Sequence, residues 1–505
     1  MGTIDSHRIS GRVPTPFAKI LPAVITGILI GQKLHGGIWI LAALCAVLTT
    51  VTWVIRRHAP FNWLLTYATI IMFGITVRVL TLPSSELPSG TKVQMTLRIT
   101  APQQNNEKQS WTTAKVVKYR PCGGTESEWM ASGEKVVLYS GSGVEIHPGT
   151  VLTVFGYIQD PASGEQTRFA NRRKSVRINN PEDITGISRS RGSIIRQAAY
   201  AMQMKSCAKL KRLDMSAKAY AVAAAMSTGI RSDIPTELRN DYNMSGTSHL
   251  LAISGLHVGI VVLIVNFLLR FVSAFPHGHI FKNIIATTAI WLYAFMSGLT
   301  PSVIRTSIMF TGFQASQISS RRHAGQNMFF ATATVMLLLN PDYLYDLSFQ
   351  LSFVAVAGII CLYPPIFNLV KSRIRPLNTI YAYFITGLAA TVATAPIISL
   401  HFGTIPVIGI MISPILLLFA SVIMFGSLTW IIMPLEPLNK LFSMIIGLCA
   451  DCQNILIEIC ASKNWSSLPI RMQTWEVIAI YAEIAAAMAV STHTNNCRLP
   501  ARQSF

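Results

Sequence analysis

The chain has 505 residues, of which 51% are hydrophobic and only 13% charged, and it carries a formal net charge of +20 at pH 7. Soluble domains carry about 25% charged residues, so this composition and a mean hydropathy of +0.44 exclude an ordinary soluble enzyme and point to a multi-span membrane protein. The positive excess suits cytoplasmic loops rich in Lys and Arg and also suits an anionic cargo.

Residues 1–82 read as N-terminal membrane spans. His7, Arg8, Arg12 and Lys19 precede an apolar run over 20–31, and further runs cover 37–55 and 63–82. No small-residue cleavage site follows the first run, so it reads as a retained span rather than a signal peptide. Arg56 and Arg57 then fall on the cytoplasmic side with the N-terminus.

Residues 83–187 read as a small all-β domain. Val93, Met95, Leu97 and Ile99 alternate with polar neighbours, the mark of a half-buried strand, and 114–119, 135–139, 151–158 and 175–178 are further strands. Short strands separated by turn residues fit a small barrel. Arg168, Phe169, Arg172, Arg173, Lys174 and Arg177 combine charge with one aromatic ring, a pattern that contacts single-stranded nucleic acid; the plain alternative is a solvated basic loop. Residues 188–245 interleave Arg196, Lys205, Lys209, Lys211 and Arg212 with Ile194, Ile195, Met202, Met204 and Leu210, and read as amphipathic surface helices.

Residues 246–492 read as a transmembrane helical core, followed by a cytoplasmic tail over 493–505. The core opens on GTSHLLAISGLHVGI at 246–260, where two histidines and two serines interrupt an apolar run. Such groups are costly in hydrocarbon and mark a functional site by default. As one helix, the stretch puts His249, Ile253 and His257 on one face with Ser254 beside His257. The imidazoles then lie roughly 12 Å apart along the axis, too far for one metal ion unless the helix breaks at Ser254 and Gly255. Gly255 and Gly259 form a G-x-x-x-G pair that admits a close helix neighbour, and Gly246 and Gly298 are further small-residue packing positions. Helix packing alone is the plain reading of the whole stretch.

Farther along, Arg305 is a candidate intramembrane cation, with Asp346 and Gln350 at i and i+4 as its partners. The alternatives are a conducting pathway and a structural ion pair. Pro406 and Pro414 divide one apolar run into two half-helices. Threading the runs gives about twelve spans, with Arg270, Lys282, Arg321, Arg322, Lys371, Arg373, Arg375, Arg498 and Arg502 inside, the β domain outside and both termini in the cytoplasm. Cys122 and Cys207 both fall outside and could form a disulfide in an oxidising compartment. Cys449 and Cys452 form a C-x-x-C without companion histidines.

The stretch SHLLAISGLHVGIV resembles the signature of the ComEC competence proteins, polytopic inner-membrane proteins. Ser302 and Arg305 match the family's Ser-x-x-Arg, and DLSFQLSF matches a family motif with Ser348 in place of its Gly. Thr394, Ala395, Pro396, Phe402 and Pro406 follow its later pattern. The resemblance implies a channel that passes single-stranded DNA across the bilayer into the cytoplasm during natural transformation, with an OB-like domain outside. His249, Ser254, His257, Arg305, Asp346 and Gln350 are then candidates for the DNA path. The β segment lacks the family's Phe-Asp-Tyr and Tyr-Leu pattern. The chain reads as a member without the C-terminal metallo-β-lactamase-like domain: it has no H-x-H-x-D-H motif, and no G-x-x-x-x-G-K-[ST] nucleotide loop. The expectation is therefore a non-enzyme without metal or cofactor. Its expected partners are a periplasmic DNA receptor, a separate nuclease and a cytoplasmic helicase or translocase, with homo-oligomers left open. Two other readings stand beside it. One is a secondary transporter of a small anionic solute. The other is a membrane-embedded hydrolase using Ser254, the histidines and Asp346 as nucleophile, base and orienter.

Overall fold

A computed structural model describes residues 16–34, 38–55, 62–82, 87–100, 103–105, 110–122, 128–140, 146, 148–160, 174–178, 181–189, 194–318, 324–370, 372, 374–463 and 466–497. It divides into two compact units. One is Met1–Leu82 with Leu269–Thr288 and Ser307–Leu344, and the other is Pro83–Leu268 with Ala289–Thr306 and Tyr345–Phe505. The helices before the β region are α1 (Pro16–Gly31), α2 (Ile38–Ile55) and α3 (Asn62–Thr81). Those after it begin with α4 (Ile194–Leu210), α5 (Ala217–Thr228), α6 (Thr236–Met244), α7 (Ser248–Leu251), α8 (Gly255–Leu268) and α9 (Gly278–Met296). They continue with α10 (Pro301–Ile318), α11 (Ala324–Leu339), α12 (Leu347–Val370), α13 (Arg375–Phe402), α14 (Ile408–Ile432), α15 (Asn439–Ala461) and α16 (Thr474–Cys497).

In the first unit α1 packs on α3 and α11. The α1–α3 contact is backbone to backbone: a Cβ on Gly27 would stand 2.3 Å from the Ile71 carbonyl, and one on Gly74 would stand 2.9 Å from that of Val24. Lipid tails are as apolar as leucine, so helices in membranes gain association from such close approach of small residues. Near the end of α3, Arg78 is buried and its guanidinium donates to Asp342 Oδ1 at 2.7 Å. This pair was not foreseen from the sequence.

The β region is built from β1 (Lys92–Ile99), β2 (Gln104–Asn105), β3 (Ser110–Pro121), β4 (Met130–Ala131), β5 (Lys135–Ser140), β6 (Thr150–Gln159), β7 (Ser175–Ile178) and β8 (Ile184–Arg189). β1 pairs with β3, β3 with β5, β5 in parallel with β7, β7 with β6, and β6 returns to β1. The ring closes, which removes exposed sheet edges, and β8 lies on β6 as an appended strand. Alternate residues point inward, so Met95, Leu97, Val116, Leu138, Leu152, Val154, Ile158 and Val176 are buried together. Each such side chain contributes about 2 kcal/mol of transfer free energy.

Among the described residues five helices are long and apolar enough to cross a membrane: Trp63–Thr81, Leu347–Leu369, Leu377–Phe402, Ile408–Ile432 and Glu436–Ala461. Shorter apolar helices cover Pro16–Gly31, Ile40–Thr52, His257–Leu268 and Asn327–Leu339. Two expectations need correction. The surface-helix reading of 188–245 fails for α5: Ala219 and 221–228 are buried, and the helix packs on α4, α14 and α15. Pro414 does not divide a span, because α14 runs through it; the break lies before α14, where Gly403 ends α13 in the left-handed region at φ +69°. There β9 (Ile405–Pro406) pairs with β10 (Ser467–Leu468).

Candidate functional site: an interrupted helix at Ser254

The polar stretch at 246–260 is not one helix. α6 ends at Ser245, Gly246 turns the chain at φ +71°, α7 makes a single turn, and Ala252 is extended at φ −94°, ψ 131° before α8 begins at Gly255. The expectation that His249, Ile253 and His257 share a helix face is therefore overturned: the two histidines lie on opposite sides of the interruption.

Local chemistry accounts for the break. Gly246 has both a conformational and a steric need for glycine, because a Cβ there would lie 2.0 Å from Pro406 Cβ. On the other side of this contact, a Cβ on Gly409 would lie 2.8 Å from the Ser245 carbonyl, so a second glycine admits the turn. The buried hydroxyls of Ser245 and Thr247 bond to each other at 2.7 Å. Gly246 is thus a turn residue rather than a helix-packing residue. Gly298 is another, at φ +74° against the Gln203 carboxamide. Gly255 stands against Thr306 of α10, where a Cβ would reach its hydroxyl at 3.4 Å, and Gly259 is half-buried on α8.

Ser254 caps α8. Its carbonyl accepts from the His257 N–H at 3.2 Å and from the Val258 N–H at 3.4 Å. In return His257 Nδ1 accepts from the Ser254 N–H at 3.1 Å and lies 3.0 Å from Ser254 Oγ. His257 thus supplies the return bond of a capping box, in the place usually taken by Glu or Gln. An Nδ1 that accepts a backbone N–H leaves the neutral ring's proton on Nε2. His257 is fully buried, and Nε2 has no hydrogen-bond partner among the described residues. His249 is exposed, with Nδ1 3.2 Å from the Gly246 carbonyl.

Arg305 is buried in the first half of α10. One turn earlier Ser302 Oγ meets Ser348 Oγ at 3.0 Å, so the serine that departs from the expected glycine is tied to its neighbouring helix. Asp346, expected as a partner of Arg305, caps α12: its Oδ1 accepts from the Phe349 N–H at 3.0 Å. The i, i+4 relation of Asp346 to Gln350 becomes a backbone bond, the Gln350 N–H donating to the Asp346 carbonyl at 3.0 Å.

Of the basic cluster expected on the barrel, Arg168, Phe169, Arg172 and Arg173 lie outside the described residues. Lys174 donates to the Leu87 carbonyl, and the Arg177 guanidinium stands over the Tyr139 ring, 6.0 Å from its centroid. Cys122 and Cys207 are both free thiols, one exposed and the other buried with its sulfur 3.1 Å from Thr228 Oγ1, so the expected disulfide is not formed. Cys449 and Cys452 are also free.

The sequence reading missed a buried polar network. Gln203 Nε2 donates to the Thr228 carbonyl at 2.7 Å. Gln453 Nε2 donates to Tyr242 Oη at 2.9 Å, and Tyr242 Oη donates to Asn454 Oδ1 at 2.9 Å. A Gln and an Asn adjacent in the apolar run of α15 were the available signal, since buried amides need partners.

Comparison with known proteins places this region. A family model described as "Competence protein" matches residues 226–494. The chain belongs to this competence protein family. The ComEC resemblance read from the signature is thereby established, and the broken helix, Arg305 and Asp346 all lie in the matched competence region. It is 30% identical over 189 residues to ComE operon protein 3 of Bacillus subtilis (strain 168), covering 37% of this chain and 23% of that protein. An uncharacterised protein of Aquifex aeolicus (strain VF5) is 32% identical over 203 residues, covering 39% of this chain and 44% of that one. Uncharacterised protein YcaI of Escherichia coli (strain K12) is 27% identical over 214 residues, covering 37% and 28% respectively. The match thus spans less than half the length of each of these relatives. No solved structure matches the chain.

Proposed function

We propose that this competence-family protein is an inner-membrane channel that passes single-stranded DNA into the cytoplasm during natural transformation. The observation that carries the reading is the interruption at 252–254 in the matched region. There the buried His257 presents an Nε2 donor without a partner among the described residues, and buried Arg305 belongs to the same matched region. Phosphates moving through a bilayer need dispersed donors and cations rather than one tight site, because strong contacts would stall the strand.

The proposal includes about twelve spans, both termini in the cytoplasm and the barrel outside the membrane. The barrel is read as OB-like: its five ring strands follow the chain order first, second, third, fifth, fourth, with the third and fifth parallel, in keeping with a five-stranded Greek-key barrel. The channel is not an enzyme in this reading. It works with a periplasmic DNA receptor, a separate nuclease and a cytoplasmic helicase or translocase.

The test follows labelled double-stranded DNA in a competent host. Deletion of the gene is expected to abolish cytoplasmic label while uptake across the outer envelope persists, with restoration by the intact gene. Unchanged cytoplasmic label in the deletion strain would refute the channel and bring forward a transporter of small anions.

A further inference from the structure

The outer surface of the barrel carries a belt of aromatic and cationic side chains that the strand register aligns. Trp111 on β3 pairs with Tyr139 on β5, Tyr139 with Arg177 on β7, and Arg177 with Tyr157 on β6. Lys92 on β1 continues the row as the partner of Tyr157. In-register residues on neighbouring strands lie about 5 Å apart at Cα and project to the same side of the sheet. Here that side is outward: Trp111 and Tyr139 are half-buried, Arg177 and Lys92 are exposed, and Tyr157 is 48% exposed. Their chain neighbours Thr112, Leu138, Val176 and Ile158 point into the core. The row holds no acidic residue.

Outward-facing rings spaced among cations bind a flexible polyanion that carries planar groups: the cations track phosphates and the rings accept bases of any sequence. Stiffness selects the strand state. The belt winds around a small barrel, and duplex DNA, with a persistence length of about 50 nm, does not follow so tight a curve, whereas a single strand does. We propose that the Trp111, Tyr139, Arg177 and Tyr157 belt is a stacking surface for single-stranded DNA. This assignment rests on the channel reading and gives that channel a collecting surface composed of described strands rather than of the basic loop.

The experiment uses the full chain in lipid nanodiscs and a fluorescent oligothymidylate at physiological salt. Triple substitution W111A/Y139A/Y157A is expected to weaken binding about 10-fold or more, whereas W111F/Y139F/Y157F, which keeps the rings, stays within about threefold of the unaltered protein. A duplex of the same length should compete poorly. Photo-crosslinking of an iodouridine-bearing strand should label the belt tyrosines or Trp111. Equal binding by the alanine variant, equal competition by duplex, or preferential binding of a glycan chain would overturn the assignment. If the alanine variant unfolds, the crosslink positions and the phenylalanine variant decide. Failure of the belt leaves the deletion result intact, whereas failure of the channel appears in the deletion strain itself.

Discussion

The barrel and the interrupted helix at Ser254 solve the same problem, the pairing of backbone polar groups, in opposite ways. In the barrel the pairing is long-range and redundant: five strands close on one another, and each inward side chain merely has to be apolar. At 246–260 the pairing is local and particular. One glycine must turn, and one histidine must return a bond to the N–H of the residue that starts α8. The difference teaches that the barrel tolerates substitution by class, whereas the interruption depends on individual atoms.

The most damaging change should be Gly246→Val. It places a branched side chain at positive φ and into Pro406, and the protein is expected to disappear from the membrane fraction on quantitative immunoblotting. Gly255→Ala, whose Cβ meets only an ordinary contact with Thr306, should leave membrane levels unchanged. Equal loss from both would erase the distinction between a turn glycine and a packing glycine.

In the barrel, Leu97→Ala should cost about 2–5 kcal/mol and lower the thermal unfolding midpoint of the purified protein, because Leu97 is wholly buried. Val117→Ala on the outward face should change it little. Similar effects at both positions would contradict the inward and outward alternation.

Asp346→Ala removes the cap of α12 and should cost about 1 kcal/mol, whereas Asp346→Asn retains most of the stability. DNA uptake by Asp346→Asn should stay near normal. A severe uptake defect in this variant at normal membrane levels would return Asp346 to the conducting path.

The smallest stability effect is expected for His257→Gln, since glutamine is an ordinary residue at the third position of a capping box. Glutamine also keeps an amide N–H donor beside its accepting oxygen, so membrane levels and uptake should both stay close to those of the unaltered protein. His257→Ala, which removes acceptor and donor together, should lower uptake at matched membrane levels; normal uptake by His257→Ala would contradict a role of the ring in passage.

The barrel was legible in the sequence because period two declares a half-buried strand residue by residue, as at Val93, Met95, Leu97 and Ile99. The interruption was legible only as an alternative, a break at Ser254 and Gly255, because hydropathy averages across Ala252 and Ile253 and no proline marks them. The Ser254 and His257 spacing was visible, yet its capping role required the geometry. The capping role of Asp346 was missed for a related reason: a carboxylate near the start of an apolar helix can pair with a cation, cap the helix or do both, and spacing alone does not tell which. Pairings such as Arg78 with Asp342 and Tyr242 with Asn454 join residues far apart in the chain, beyond the reach of local pattern.

The central claim, that DNA passes the interruption, is tested most directly by a photo-crosslinking amino acid at position 252 while a transforming strand with a bulky trailing end is arrested in transit. The account predicts a covalent adduct with single-stranded DNA at 252 and none at a control position on the exposed face of α8, such as 263. Arrested, transformation-competent protein that gives no adduct at 252 would contradict it.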